Sequence, residues 1–193
     1  MSCSISEVSL DYCKVLSKNL FSTRNFSFQE TIYCSSSSDG TVNFVVTTLH
    51  NFLIVLQDQS AAEIERYNGT QRIINLLENS NDKLLTLVSD CLLKMSNYNS
   101  KSKMFIQNNE QCVQRLLMIF DTSKYDKLLL TISKLLPIIS SGNELIKRII
   151  LQLNGLSIFE KHLRTTKSIR IRHNCLVTLR NISNQATRMV KII

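Results

Sequence analysis

Turn-forming residues are scarce in this sequence, whose 193 residues include four Gly and one Pro. A sandwich or barrel of many short strands needs far more of both, so those architectures are excluded. Tryptophan is absent, and no apolar run approaches the length of a membrane span. The hydrophobic content of 44% still suffices for a core, which excludes disorder throughout. We therefore expect a helical protein.

The sequence also lacks the patterns of a disulfide framework, a metal site or an active site. Its six cysteines contain no CxxC pair and follow no signal peptide, which indicates reduced cytosolic or nuclear thiols. There is no phosphate loop and no GxSxG, and no histidine has a Cys or carboxylate at metal-ligand spacing. Cys175 follows His173 by two residues, and such residues do not face each other on a helix. The sequence predicts no enzyme, no metal and no cofactor.

Acidic residues are missing from one end of the chain. Lys and Arg total 23 against 15 Asp and Glu, a net charge of +8, and residues 164–193 contain seven Lys or Arg and no acid. Such a segment favours acidic partners, whether nucleic acid, an anionic membrane or an acidic peptide, and does not choose among them. Non-specific nucleic-acid binding is one interpretation of it, but the segment has no aromatic residue on which bases could stack.

Internal repetition is the strongest pattern present. A similar segment recurs four times, and its equivalent leucines are Leu49, Leu92, Leu135 and Leu179, at steps of 43, 43 and 44 residues. A period of this length is typical of the armadillo and HEAT classes of stacked helices.

Each period contains three predicted helices. In one period they cover 101–107, 112–120 and a long stretch from about 126; the next period has the same three-part arrangement. Three helices per period favour armadillo over HEAT. The sequence thus predicts an all-α armadillo-repeat solenoid, a right-handed superhelix of about four repeats over residues 39–193. Residues 1–38 are expected to form an irregular or degenerate segment or linker, and the absence of a polar capping repeat near the end is typical of a fragment.

The long third helix of each period has two faces. Ile171, Cys175 and Leu179 recur at helical spacing and predict a stripe turned towards the core. The opposite stripe carries Arg180 and Asn181, and its counterpart in the second period carries Asp90, Leu93 and Lys94. Stacked repeats bring equivalent faces side by side, so these outer stripes should form one concave surface.

Five stretches between residues 39 and 188 carry a family resemblance. They are TVNFVVTTLHN, DKLLTLVSDCL, NYNSKSKMFI, YDKLLLTISKLL and HNCLVTLRNISNQATR. They resemble the β-catenin (Armadillo) and plakoglobin family, over about the third to sixth of its repeats.

The resemblance implies a non-enzymatic scaffold whose basic groove binds extended acidic peptides. The implied ligands are cadherin tails, Wnt-pathway transcription factors, and the destruction-complex proteins APC and axin. The implied setting is Wnt signalling, cell adhesion or both, in the cytoplasm and nucleus and at adherens junctions. The family's α-catenin site lies before its armadillo region and has no match in residues 1–40, which argues against α-catenin as a partner.

The resemblance also transfers eight groove positions to this chain. They are His50, Asn51, Lys83, Lys103, Lys127, Lys134, Arg180 and Asn181. Other groove positions differ, since Leu130 and Val177 replace tryptophans and Pro137 replaces a lysine. The loss of two large aromatic anchors predicts weaker ligand binding.

Physical chemistry gives these groove residues plausible roles. An Asn amide can satisfy both the donor and the acceptor of a ligand backbone, and the planar fork of Arg180 can hold a carboxylate with two hydrogen bonds. Asn51 and Asn181 also have a structural interpretation, in which they bridge adjacent helices. An importin-α-like adaptor is the alternative function, but it pairs Trp with Asn and holds basic peptides, whereas this chain has no Trp and a basic groove side.

Overall fold

The computed structural model describes residues 39–66 and 68–190, and all regular structure in these residues is helical. The ten α-helices within these residues are α1 Asp39–Val55, α2 Gln57–Arg66, α3 Gly69–Asn75, α4 Asp82–Tyr98, α5 Ser100–Asn108, α6 Glu110–Thr122, α7 Asp126–Ser140, α8 Glu144–Gln152, α9 Gly155–Thr165 and α10 Ile169–Val190. The irregular segment predicted for residues 1–38 lies outside the described residues and stays a prediction.

In chain order, the long helix α1 is followed by three complete units of three helices each: α2–α4, α5–α7 and α8–α10. The long helices α1, α4, α7 and α10 stack on one another in chain order, and the shorter helices pack behind them. The predicted three helices per period are confirmed, with predicted boundaries within two residues of the observed ones. This stacking of equivalent helices is what an armadillo solenoid requires.

Asparagines begin many of these helices. The side chains of Asn81, Asn99, Asn109 and Asn143 accept hydrogen bonds from backbone N–H groups in the first turns of α4, α5, α6 and α8. Each cap satisfies donors that the helix itself cannot pair, and losing one costs about 1 kcal/mol. Four of the helices described are thus preceded by an Asn whose side chain caps the first turn.

Two Asn-Gly pairs make the turn from first to second helix in two of the units. Asn68 and Asn154 adopt left-handed backbone conformations, with φ of 55° and 58°, and Gly69 and Gly155 follow them. A Cβ on Gly69 would lie 2.3 Å from Ile64 Cγ2, and one on Gly155 would lie 2.4 Å from the Cγ2 of Ile150. Both glycines are needed because the preceding helix passes directly over them.

The core runs along the inner side of the long helices, and its pattern fixes the register of the repeat. Leu84, Leu128 and Ile171 are all buried at the third residue of α4, α7 and α10. These helices begin 44 and then 43 residues apart, so Leu92 corresponds to Leu136. The predicted pairing of Leu92 with Leu135 is therefore wrong by one residue. The sequence alone could not show this shift, because Leu135 and Leu136 are adjacent and identical in type. Both are fully buried in the structure.

Hydrogen bonds from a side chain to a backbone carbonyl connect the second helices of successive units. Arg115 Nε on α6 donates to Leu77 O at 2.8 Å, and His162 Nε2 on α9 donates to Phe120 O at 2.7 Å. Each contact satisfies a carbonyl near the C-terminal end of the previous second helix, where a cation or donor is electrostatically favoured. We call these contacts the Arg115 joint and the His162 joint.

Candidate functional site

The outward side of the stacked long helices forms one surface, which we call the third-helix face. On α4 it consists of the exposed and half-buried positions Lys83, Leu87, Asp90, Lys94 and Asn97, spaced at four- and three-residue intervals. This is the helical spacing of one stripe. Leu93 was expected on this stripe, but it is buried with 8% exposure, because it turns towards the core.

Three cations occupy the same place on successive helices of this face. Lys83, Lys127 and Arg170 are each the second residue of their helix, and all three are exposed. A cation at a helix N-terminus opposes the helix dipole, so helix stability does not explain this column. Arg170 was missed by sequence reasoning because its equivalence to the two lysines depends on the observed helix starts.

Further cations lie on α7 and α10: Lys134 occupies the register of Asp90, and Arg180, at the register of Leu93, directly precedes Asn181. Both side chains are exposed, as is Asn51 on α1. Within the described part of the chain, these three side chains and Lys127 make no hydrogen bond or ion pair. Their polar groups are therefore not committed to a partner among the described residues.

Lys103 is the one predicted groove residue that lies on a different layer. It is half-buried on α5, a first helix, whereas the other seven lie on α1, α4, α7 and α10. Helix α5 packs against both α4 and α7, which places Lys103 beside the stacked long helices rather than on their outward stripe.

His50 is not free, because it is bound to a carboxylate of the next unit. Its Nε2 donates to Asp90 Oδ2 at 2.5 Å, and Lys94 Nζ lies 3.3 Å from the same oxygen. Each of the three side chains is only 18–25% exposed to solvent. The sequence does not indicate this contact, because the two residues are 40 apart in the chain.

The ionised form of Asp90 is favoured in this arrangement. Burial by itself raises the pKa of the Asp90 carboxyl, but the hydrogen bond from His50 and the charge of Lys94 together hold that pKa below its usual value. Asp90 thus carries a negative charge on the third-helix face near neutral pH, and sequence reasoning did not select it as a site residue.

Asn181 follows the structural interpretation that the sequence left open. Its Nδ2 donates to Pro137 O at 3.0 Å and to Ser140 Oγ at 3.1 Å, both on α7. An Asn amide has two N–H donors, so both are used between the units. Only Asn181 Oδ1 is left to accept a hydrogen bond from a ligand.

The reactive groups elsewhere in the described residues are buried. Cys91, Cys112 and Cys175 are free thiols, and burial raises the pKa of Cys112 and of Cys175 to about 12. Thiols with such pKa values are poor nucleophiles.

No group of three His, Cys, Asp or Glu side chains in residues 39–66 and 68–190 could hold a metal ion. Over the same residues, no helix combines the length and apolar character needed to cross a bilayer.

Known proteins with similar sequences are junction proteins and catenins. Junction plakoglobin of Xenopus laevis is 35% identical over 156 residues, and catenin beta of Urechis caupo is 33% identical over 158 residues. Each match covers 80% of this chain and 20% or 18% of the relative, so the chain spans about a fifth of the length of these curated relatives. No protein-family model matches the chain.

A solved structure agrees with these sequence matches. It comes from work on a phosphorylation switch that controls the interaction between cadherin and β-catenin. It superposes with a TM-score of 0.73 and 25% identity, and covers 96% of this chain and 38% of the other. The predicted all-α armadillo solenoid and the predicted family are both confirmed: the chain is an armadillo-repeat protein homologous to plakoglobin and β-catenin.

Proposed function

We propose that the chain is a non-enzymatic scaffold that binds an extended acidic peptide along its third-helix face. The observation that carries the proposal is the set of exposed cations on consecutive long helices. They are Lys83, Lys127, Lys134, Arg170 and Arg180. A carboxylate-rich strand that crosses these helices could meet at least one cation on each of α4, α7 and α10.

Binding would depend on many small contributions. An exposed ion pair contributes about 0.2–1 kcal/mol and weakens as salt rises, so several cations must act together. Arg180 is the strongest single candidate because its guanidinium can hold a carboxylate through two hydrogen bonds. Lys103, beside the face on α5, is proposed as a second contact.

The proposed ligand class is the acidic cytoplasmic tail of a cadherin, with acidic segments of Wnt-pathway transcription factors, APC and axin as further members. Support for cadherin comes from the β-catenin structure that superposes on this chain, since cadherin is named there as the partner of β-catenin. The cytoplasm, the nucleus and adherens junctions are the proposed places of action.

A peptide-binding experiment tests the proposal. Arg180→Glu and Lys103→Glu should each weaken binding of a fluorescein-labelled acidic cadherin-type peptide by about fivefold at low salt, because each removes one attraction and adds a repulsion. Fluorescence anisotropy measures the affinity, and far-ultraviolet circular dichroism checks that the helices persist. Arg148→Glu is the matched control, since Arg148 is exposed on the first helix α8.

Three results would contradict the proposal. Unchanged affinity in both variants would remove the third-helix face as the binding surface. A preference of the unmodified chain for a lysine-rich peptide over the acidic one would instead favour the importin-α-like alternative. Competition by a nucleic acid of random sequence at equal strength would indicate non-specific charge attraction.

A further inference from the structure

The third-helix face divides into two halves of different charge. The α1–α4 half comprises the outward positions of α1 and α4, and the α7–α10 half comprises those of α7 and α10. We propose that Asp90 is a specificity-determining residue, an internal carboxylate that pairs with His50 and Lys94, excludes ligand carboxylates from their neighbourhood in the α1–α4 half, and so directs most of the acidic part of a ligand to the α7–α10 half. This inference rests on the proposed acidic ligand.

The geometry shows that the basic side chains near Asp90 are already paired. His50 and Lys94 converge on one oxygen, Asp90 Oδ2, at 2.5 Å and 3.3 Å. One comes from α1 and the other from the same helix as Asp90, so the carboxylate joins the first two long helices. A ligand that needed either side chain would have to compete with a carboxylate that is held in place by the fold.

Such a competition gains little for the ligand. Replacing Asp90 by a ligand carboxylate exchanges one ion pair for another, and it leaves a half-buried Asp90 without its partners. If Asp90 stays in place, the incoming carboxylate meets a like charge instead. Either route makes the position beside His50 unfavourable for an acidic side chain.

The corresponding place in the next unit has the opposite charge. Because α4 and α7 begin 44 residues apart, Lys134 on α7 occupies the position of Asp90 on α4. Lys134 is exposed, and its side chain makes no hydrogen bond or ion pair within the described residues. A bound strand therefore meets an anion at one unit and a cation at the next, which selects for a ligand whose acidic residues lie on one side of that boundary.

The chain carries three histidines, and they report which half a ligand touches. His50 lies in the α1–α4 half, His173 is exposed on α10, and His162 is buried on α9. A peptide of alternating Glu and Ser, added to the unmodified chain, should shift the ring resonances of His173 in a nuclear magnetic resonance titration. The ring resonances of His50 and His162 should not shift. A shift of His50 as large as that of His173 would overturn the inference without any variant.

A variant gives the second test. Asp90→Asn keeps an oxygen that can accept the His50 hydrogen bond but removes the charge, so affinity for the Glu-Ser peptide should rise by about fivefold at low salt. Glu160→Gln is the control, because it removes the same charge from an exposed position on α9. His50→Asn by itself should leave the affinity for the Glu-Ser peptide unchanged. In the Asp90→Asn background it should lower that affinity.

The outcomes separate this inference from the proposed function. If the unmodified chain binds the Glu-Ser peptide and Asp90→Asn binds no better than Glu160→Gln, the proposed function stands and the role of Asp90 falls. If only Asp90→Asn binds detectably, the α7–α10 half does not bind the peptide in the unmodified chain, and both the direction of the ligand to that half and the proposed function are wrong. If neither binds, both proposals are wrong. Equal melting temperatures by circular dichroism establish that the compared variants are folded.

Discussion

The two halves of the third-helix face are built on one packing scheme but carry different chemistry. Leu84 and Leu128 fill the same core position in α4 and α7, whereas Asp90 and Lys134 hold opposite charges at one outward position. Core positions are restrained because each side chain must fit its neighbours at high packing density. Outward positions have no such restraint, so a repeat protein can vary its binding chemistry without changing its fold.

The largest expected effect tests whether packing is the same in equivalent units. Gly69→Ala and Gly155→Ala each place a Cβ within 2.4 Å of an isoleucine methyl and 2.7 Å of a backbone oxygen. Each variant should lower the free energy of unfolding by about 1–3 kcal/mol, because the preceding helix has to move. Urea denaturation followed by circular dichroism measures both. A loss confined to one of them would mean that the units are not packed alike.

The next effect tests how the ends of the face differ. Asn181→Ala removes two donated hydrogen bonds between α10 and α7 and should cost about 1 kcal/mol or slightly more. Asn51 is exposed on α1, so Asn51→Ala should change the free energy of unfolding by less than about 0.5 kcal/mol. The same urea measurement compares them. Equal losses would show that Asn181 is not a bridge between the units.

The smallest effect compares the two joints as pH is lowered. Burial lowers the pKa of His162, although its hydrogen bond to Phe120 O partly opposes this shift. The folded state therefore favours neutral His162, and its contribution to stability is complete above the unfolded pKa of about 6.5 and is lost as pH falls below that value. The Arg115 joint should not change, since an arginine stays charged throughout this range.

Hydrogen exchange measures this difference directly. Amides of α8–α10 should lose protection when pH falls from about 7 to about 5.5, while those of α4 should not, after correction for intrinsic exchange rates. His162→Gln, which keeps a neutral donor, should remove the difference between the two pH values. Equal loss of protection in α4 and α9 would contradict the assignment to His162.

Much of the fold could be predicted because it depends on local patterns. The apolar spacing of Ile171 and Cys175 predicted the inner side of α10, and the division of each period into three segments predicted its three helices. The recurrence of these patterns indicated equivalent units. The error of one residue at Leu135 arose where two leucines in a row fit the core equally well.

The candidate site was predicted less completely, since its chemistry depends on pairs of distant residues. Resemblance to the family located His50 and Asn181 on the face, but it could not show that both already have partners. His50 binds Asp90 at a separation of 40 residues, and Asn181 binds Pro137 at a separation of 44. No local periodicity encodes such a pair, because it forms only after one long helix has packed on the next.

By itself, the sequence determined that this protein is a stack of three-helix units with a basic end, because helix periodicity, Asn caps and charge are properties of neighbouring residues. The tertiary structure decided which of the polar side chains remain available. Lys134 and Arg180 are exposed, whereas His50 and Lys94 are held by Asp90. Stacking sets these distances, and an ion pair between helices is stable only when its partners are brought within a few ångströms and partly shielded from water.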